Sequence, residues 1–280
     1  MARTQPYSAL AHAEEALAMG QHDAADRLVG TSYALVTYGC VGYSSVMSSA
    51  PQTDRNPLEA AVAAVAAVKP KLRGWIHAGT FPLALAAGIV LVALAPNGKA
   101  RIGAVIFAIT AALLFGTSAV YHRGNWSASV TGVLKRMDHS NIFLIIAGTY
   151  TPFALLLLPP NQTRSLLLIA WIGAIGGVLF RVFWVGAPRW LYTPIYVALG
   201  WVAVFYLKPL YERGGAAVVI LIAVGGLLYT AGAVIYGIKR PNPSPRWFGF
   251  HEIFHVCTVA AFVVHYIAVS MAVYGSGPAA

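Results

Sequence analysis

The sequence predicts an all-α polytopic membrane protein, a bundle of seven transmembrane helices with its N-terminus in the cytoplasm and its C-terminus outside. Three observations carry that prediction. Of the 280 residues, 58% are hydrophobic and only 10% charged, whereas a soluble domain covers its surface with about 25% charged residues. From Trp75 onward, apolar segments recur at the length of about 20 residues that a helix needs to cross a bilayer core of about 30 Å. Lysine and arginine, finally, fall unequally on alternate loops.

The predicted spans are 75–95, 102–121, 139–158, 166–185, 191–207, 216–237 and 252–274. Proline, glycine, asparagine or charge punctuates every junction: Pro96-Asn97-Gly98-Lys99, the polar stretch from His122 to Asp138, Pro159-Pro160-Asn161-Gln162, Gly186-Ala187-Pro188-Arg189, Lys208-Pro209, and Lys239-Arg240-Pro241. Orientation follows from the short loops. One side carries ten basic residues: Lys69, Lys71, Arg73, Arg123, Lys135, Arg136, Arg189, Lys239, Arg240 and Arg246. The other carries five: Lys99, Arg101, Arg164, Lys208 and Arg213. The richer side is therefore cytoplasmic, and a multi-pass protein of the plasma membrane is expected. Arg181, near the cytoplasmic end of span four, is expected to snorkel to the interface. Gly173, Gly176 and Gly177 in span four, and Gly225 and Gly226 in span six, permit close helix packing.

Residues 1–70 differ from the rest. Ser8 opens a short capped helix, Leu58 to Val68 forms a second helix suited to the membrane surface, and the whole reads as a weakly ordered, partly helical cytoplasmic tail preceding the seven-helix domain of 71–280. Its first 27 residues mix acids and bases and show no signal-peptide pattern. Two cysteines, Cys40 and Cys257, exclude a disulfide framework and a Cys-rich zinc ribbon, leaving eight histidines as the soft ligands. A net charge of +10 and a pI near 9.8 would suggest nucleic acid in a soluble chain. Here they reflect membrane orientation, so the expected partners are membrane lipids and not nucleic acid; no protein partner is legible.

Ionisable groups inside spans are costly and are functional candidates by default. His122 closes span two on the cytoplasmic side, with Ser118 one turn deeper on the same face. Asp138 opens span three from that side, and His251 and His255 open span seven from it, four residues apart and so on one helical face. Three helix ends thus deliver three imidazoles and a carboxylate to one layer. Histidines at i and i+4 with a third from a facing helix make a three-ligand set, for which zinc is the natural metal, leaving a fourth position for water. Asp138 could ligate, hold the zinc-bound water, or orient an imidazole; Ser118 could bond that water or a substrate carbonyl. The competing readings are interfacial capping for the histidines and helix packing for Ser118. His77, His139 and Glu252 share the layer and read as interfacial polar residues. His265, about 15 Å deeper by helical rise, reads as a hydrogen-bonding residue of the bundle.

These residues resemble the hemolysin III branch of the progestin and adipoQ receptor superfamily, related more distantly to alkaline ceramidases. The resemblance rests on Lys71-Leu72-Arg73-Gly74-Trp75-Ile76-His77, Ser118-Ala-Val-Tyr-His122, Met137-Asp138-His139-Ser140 leading to Gly148-Thr149-Tyr150-Thr151-Pro152, and His251-Glu-Ile-Phe-His255 continuing to His265, and covers about 70–275. It implies seven helices, an N-terminus inside, and zinc near the cytoplasmic face on His122, His251 and His255, with Asp138 on the metal-bound water. Receptors, lipid amidases and bacterial proteins called hemolysins all belong to this group, so three functions are open. The first is a metal-dependent lipid hydrolase or amidase with Asp138 as general base and Ser118 at the oxyanion. The second is a sensor or regulator of membrane state stapled by structural zinc. The third, a pore-forming cytolysin, fits poorly because the spans carry almost no polar stripe.

Overall fold

The computed structural model describes residues 70–184, 186–244 and 246–276. The readings made above for the tail up to residue 69 lie outside the described residues. Among these the fold is helical: α1 (Trp75–Leu94), α2 (Lys99–Arg123), α3 (Ala128–Leu157), α4 (Pro160–Phe183), α5 (Arg189–Gly200), a 3₁₀ turn (Trp201–Tyr206), α6 (Leu207–Ile238) and α7 (Phe250–Tyr274). Six helical stretches are long and apolar enough to cross a membrane, with Arg189–Ile238 counting as one of them. Large apolar side chains such as Leu83, Ile89, Ile172, Phe183, Phe205 and Ile220 are exposed on the outside of the helices. A water-soluble surface rarely displays so much contiguous hydrocarbon; lipid is its natural solvent.

The breaks between helices have local causes. Pro96 and Asn97 end α1, and α4 starts on Pro160 at its first position with Pro159 before it, where a missing N–H costs nothing. The polar stretch after His122 proves to be mostly helix. Only 124–127 is irregular, Ser127 caps α3 by accepting a hydrogen bond from the Val130 N–H at 3.4 Å, and α3 starts eleven residues before the predicted 139. At 30 residues it is about 45 Å long, so its first turns project beyond a hydrocarbon core of about 30 Å. Lys208-Pro209 does not interrupt the chain as predicted. Pro209 sits in the first turn of α6, and the irregularity falls instead at the 3₁₀ turn and at Gly215, with φ 76° and ψ 175°. That backbone conformation is open to glycine at little cost.

The stretch Arg189–Ile238 doubles back on itself. The Tyr192 and Tyr236 hydroxyls lie 3.2 Å apart, and Trp201 Nε1 donates to Thr230 Oγ1 at 2.9 Å, so ascending positions from α5 into the 3₁₀ turn meet descending positions in α6. Neighbouring helices pack in sequence, α1 on α2, α2 on α3, α3 on α4 and α6 on α7, and α7 also touches α1, α2 and α3. The interior between α7 and its neighbours holds Phe107, Phe115, Phe143, Leu91 and, from α7 itself, Val269, all buried. Phe107 stacks on Phe262 with ring centroids 5.7 Å apart, and Tyr266 donates to the Ala87 carbonyl across α1. This closure brings the start of α7 against the end of α2.

Candidate metal centre

Gly74, immediately before α1, has a left-handed φ of 81°, and a Cβ there would lie 2.6 Å from His122 Cβ. Only glycine lets the chain pass so close to the last turn of α2. The segment before α1 is tied from the other side: Lys71 and Leu72 donate backbone hydrogen bonds to the Arg246 and Trp247 carbonyls, and Arg73 Nε is hydrogen-bonded to Glu252 Oε1. Glu252 is fully buried and its second oxygen accepts from the Gly249 N–H at 2.8 Å, which caps α7 and fixes its first turn. Glu252 is therefore a buried structural acid, not the interfacial residue predicted.

On that platform His122, His251 and His255 converge. One ligating atom from each lies within 4.8 Å of the others; His122 Nε2 and His251 Nε2 are 3.2 Å apart, and the three ring centroids are 4.5 to 5.1 Å from one another. Zinc with imidazole nitrogens at about 2.0–2.1 Å in tetrahedral array needs nitrogens about 3.4 Å apart. The donor set is all imidazole, and the Nδ1 atom of His255 is buried without a hydrogen-bond partner among the described residues. Donor chemistry and spacing both suit a borderline-soft divalent ion.

Asp138 lies in the third turn of α3, a consequence of that helix starting early, and its Oδ2 is 3.9 Å from His122 Nε2 and 3.8 Å from His139 Nδ1. Ser118, buried one turn below His122, lines the same cavity as Asp138. The structure thus brings together all five residues selected from the sequence. It adds a sixth. His77, expected at the interface, is buried; its Nδ1 is 2.8 Å from Ser118 Oγ, and its ring stacks on His255 at 3.8 Å with 7° between planes. Shared depth was the available clue, but the rotation of α1 that turns His77 inward depends on Gly74 and the Arg73–Glu252 tie.

His139 is also buried and not interfacial. Its Nδ1 faces the Lys135 carbonyl at 2.8 Å and its Nε2 the Tyr236 hydroxyl at 3.5 Å. Tyr236 in turn lies 5.8 Å, ring to ring, from His251. Tyr192 and Tyr236 were not selected from the sequence, although each sits at the depth of the histidine layer. Arg181 does not snorkel outward: it is 1% exposed, with its guanidinium 4.4 Å from the centre of the Tyr192 ring. His265 bonds within the bundle, its Nε2 3.2 Å from the Ile222 carbonyl.

From the histidines a narrow cavity of about 130 Å³ extends inward between the helices, past Ile142, Ile146, Tyr150 and Phe153 to Trp201 and His265. Its wall is mainly apolar, with Ser118, Asp138, His251 and His255 at one end and His265 toward the other.

The family model described as Haemolysin-III related matches residues 65–266. "Hemolysin-3 homolog" of Bacillus subtilis (strain 168) is 36% identical over 146 residues, covering 52% of this chain and 68% of that protein. "Hemolysin-3" of Bacillus cereus is 34% identical over 140 residues, 50% of this chain and 64% of that one. "Progestin and adipoQ receptor-like protein 1" of Caenorhabditis elegans is 24% identical over 180 residues, 57% and 41% of the respective chains. The match thus spans about two thirds of each Bacillus relative and about two fifths of the nematode one.

Proposed function

This chain belongs to the haemolysin-III-related family, within the progestin and adipoQ receptor superfamily, and we propose that it is a zinc-dependent lipid amidase or hydrolase of the plasma membrane. The observation that carries this reading is the cluster of His122, His251 and His255 at one end of a mainly apolar cavity that His251, His255, Asp138 and Ser118 line. His122, His251 and His255 hold the metal. Zinc in that position supplies Lewis acidity toward a carbonyl and makes water a better nucleophile near neutral pH.

The chain's own residues do the rest. The apolar wall takes an acyl chain and leaves the carbonyl at the histidine end. Asp138 takes the proton from the attacking water at its carboxylate and returns it to the leaving nitrogen or oxygen, so the acyl bond breaks to give a carboxylic acid and an amine or alcohol. Ser118 Oγ, held by His77, donates to the oxygen on which negative charge develops. Seven crossings accompany this reading, with the N-terminus cytoplasmic. The 18 residues from Arg189 to Tyr206 rise about 30 Å as α-helix plus 3₁₀ turn, enough for one crossing, and the part of α6 after Gly215 supplies the next.

The test is hydrolysis of a panel of acylated lipids by detergent-purified protein, with fatty acid release followed by mass spectrometry. Turnover lost in Asp138→Asn and Ser118→Ala, with metal retained, supports the assignment; turnover unchanged in Asp138→Asn contradicts it. A second reading is favoured by one contact, His122 Nε2 to His251 Nε2 at 3.2 Å between residues 129 positions apart. It makes the metal a staple of α2 to α7 in a sensor of membrane state, which binds zinc but hydrolyses nothing.

A further inference from the structure

Above the histidine cluster, on its cytoplasmic side in the proposed orientation, a second cavity opens. It is an open concavity of about 880 Å³, and His122 and His251 form part of both its floor and the candidate metal centre. Arg73, Lys135, Arg181, Arg189 and Lys239 line it, and no carboxylate does among the described residues. Among the described residues, two carboxylates nearby are engaged below the floor: Glu252 with Arg73 and the Gly249 N–H, Asp138 beside His122 and His139.

Membrane orientation alone places basic residues on this side, but at the rim and pointing to water or headgroups. Here two arginines are turned inward and held. The Arg181 guanidinium lies 4.4 Å from the Tyr192 ring and the Arg189 guanidinium 4.4 Å from the Tyr236 ring. The two tyrosine hydroxyls are 3.2 Å apart, and Tyr236 abuts His251 and His139. Arg181, moreover, is 1% exposed. A concavity that gathers Lys135, Arg189 and Lys239 with no carboxylate in its lining among the described residues attracts an anion, and the Arg189 guanidinium matches a phosphate group in geometry as well as charge.

We propose that this vestibule recognises a phosphate-bearing group, contributed by the headgroup of an anionic membrane lipid, and so sets the substrate class of the site beneath it. The link to turnover rests on the hydrolase reading; the binding does not. A lipid with its phosphate among Arg189, Lys135 and Lys239 has its ester or amide carbonyl at the histidines and its acyl chain in the apolar cavity. The two cavities share Tyr192, Tyr236, His139 and His251, so the phosphate and acyl positions are contiguous.

The experiment is lipid binding by native mass spectrometry, with titrations of dioleoylphosphatidic acid and dioleoylglycerol, which differ in the phosphate alone, and of inorganic phosphate. The variants are Lys135→Gln/Arg189→Gln/Lys239→Gln and, as a control of equal charge change on the same face outside the vestibule, Lys71→Gln/Arg240→Gln/Arg246→Gln. Arg181 is left intact because it is buried; should the vestibule triple fail to fold, Arg189→Gln alone replaces it. Expected are phosphatidic acid bound more tightly than diacylglycerol, a loss of about tenfold or more in the vestibule triple, and retention within about twofold in the control. Equal loss in both triples, the mark of diffuse attraction to the whole face, overturns the proposal. Inorganic phosphate bound through the same residues, with no preference among lipids, overturns the lipid assignment and makes the ligand a soluble phosphate. Metal content and hydrolysis of neutral acyl lipids, measured on the same preparations, separate the two readings. Vestibule-dependent binding without hydrolysis sinks the hydrolase alone, and hydrolysis without phosphate preference sinks the vestibule alone.

Discussion

His77 illustrates what a single side chain does in this site. Its Nδ1 meets Ser118 Oγ at 2.8 Å while its face covers His255, so one ring both aims the serine and walls the metal position. His77→Phe preserves a flat ring for the stack and removes the hydrogen bond. The expected outcome is metal content near wild type and lipid hydrolysis reduced by about 10²-fold; unchanged turnover contradicts the positioning role. The Arg73–Glu252 pair makes a second prediction at this scale. Arg73→Ala leaves a fully buried carboxylate without its cation, a loss on the order of 3 kcal/mol, read as a lower melting temperature in detergent. Adding Glu252→Gln to that variant removes the stranded charge and keeps an acceptor for the Gly249 N–H, so a large part of the stability returns. Depth along a helix was readable from residue numbers, and it selected His122, His251, His255, Asp138 and Ser118. The direction a residue faces around a helix was not, because it depends on how the helix is rotated against its neighbours; that is why His77 and His139 were assigned to the interface and are buried.

Between elements, close approach decides the packing. A Cβ on Gly148 of α3 would lie 2.0 Å from Thr110 Oγ1 of α2, and one on Gly103 of α2 would lie 2.8 Å from Pro152 Cα of α3. Both substitutions to Ala are expected to destabilise by about 1–3 kcal/mol. Thr110→Ala relieves Gly148→Ala in part, since it removes Oγ1 and Cγ2 but leaves the Thr110 Cβ at 2.9 Å, and no such change relieves Gly103→Ala because the obstacle is backbone. Differential scanning fluorimetry of the two singles and the double reads this directly. In α4 the composition could not distinguish neighbouring glycines: a Cβ at Gly177 would enter the Phe143 ring at 2.4 Å, whereas Gly176 faces open space. Helix positions were legible because a twenty-residue apolar run is a strong physical constraint in lipid. The early start of α3 was not, because residues 128–138 mix Ser129, Thr131, Lys135, Arg136 and Asp138 into the apolar pattern, and their helicity comes from the Ser127 cap and continuity with the span.

At the scale of the whole molecule, composition alone required lipid as solvent, while the fold-back of Arg189–Ile238 needed the pairing of Tyr192 with Tyr236 and of Trp201 with Thr230. Seven crossings predict opposite accessibility for the two ends of α7. A cysteine introduced at Ser276 in a Cys40→Ser/Cys257→Ser background reacts with an impermeant maleimide added outside intact cells, and one at Ser244 reacts only after permeabilisation. Labelling of both from the same side contradicts the topology. A metal held where α7 closes onto α2 is read by elemental analysis of detergent-purified protein, wild type beside His255→Ala and Asp138→Asn. About one zinc per chain is expected in wild type, lost in His255→Ala and retained in Asp138→Asn. Wild-type protein prepared without chelator and containing no zinc, or His255→Ala retaining a full equivalent, would contradict it.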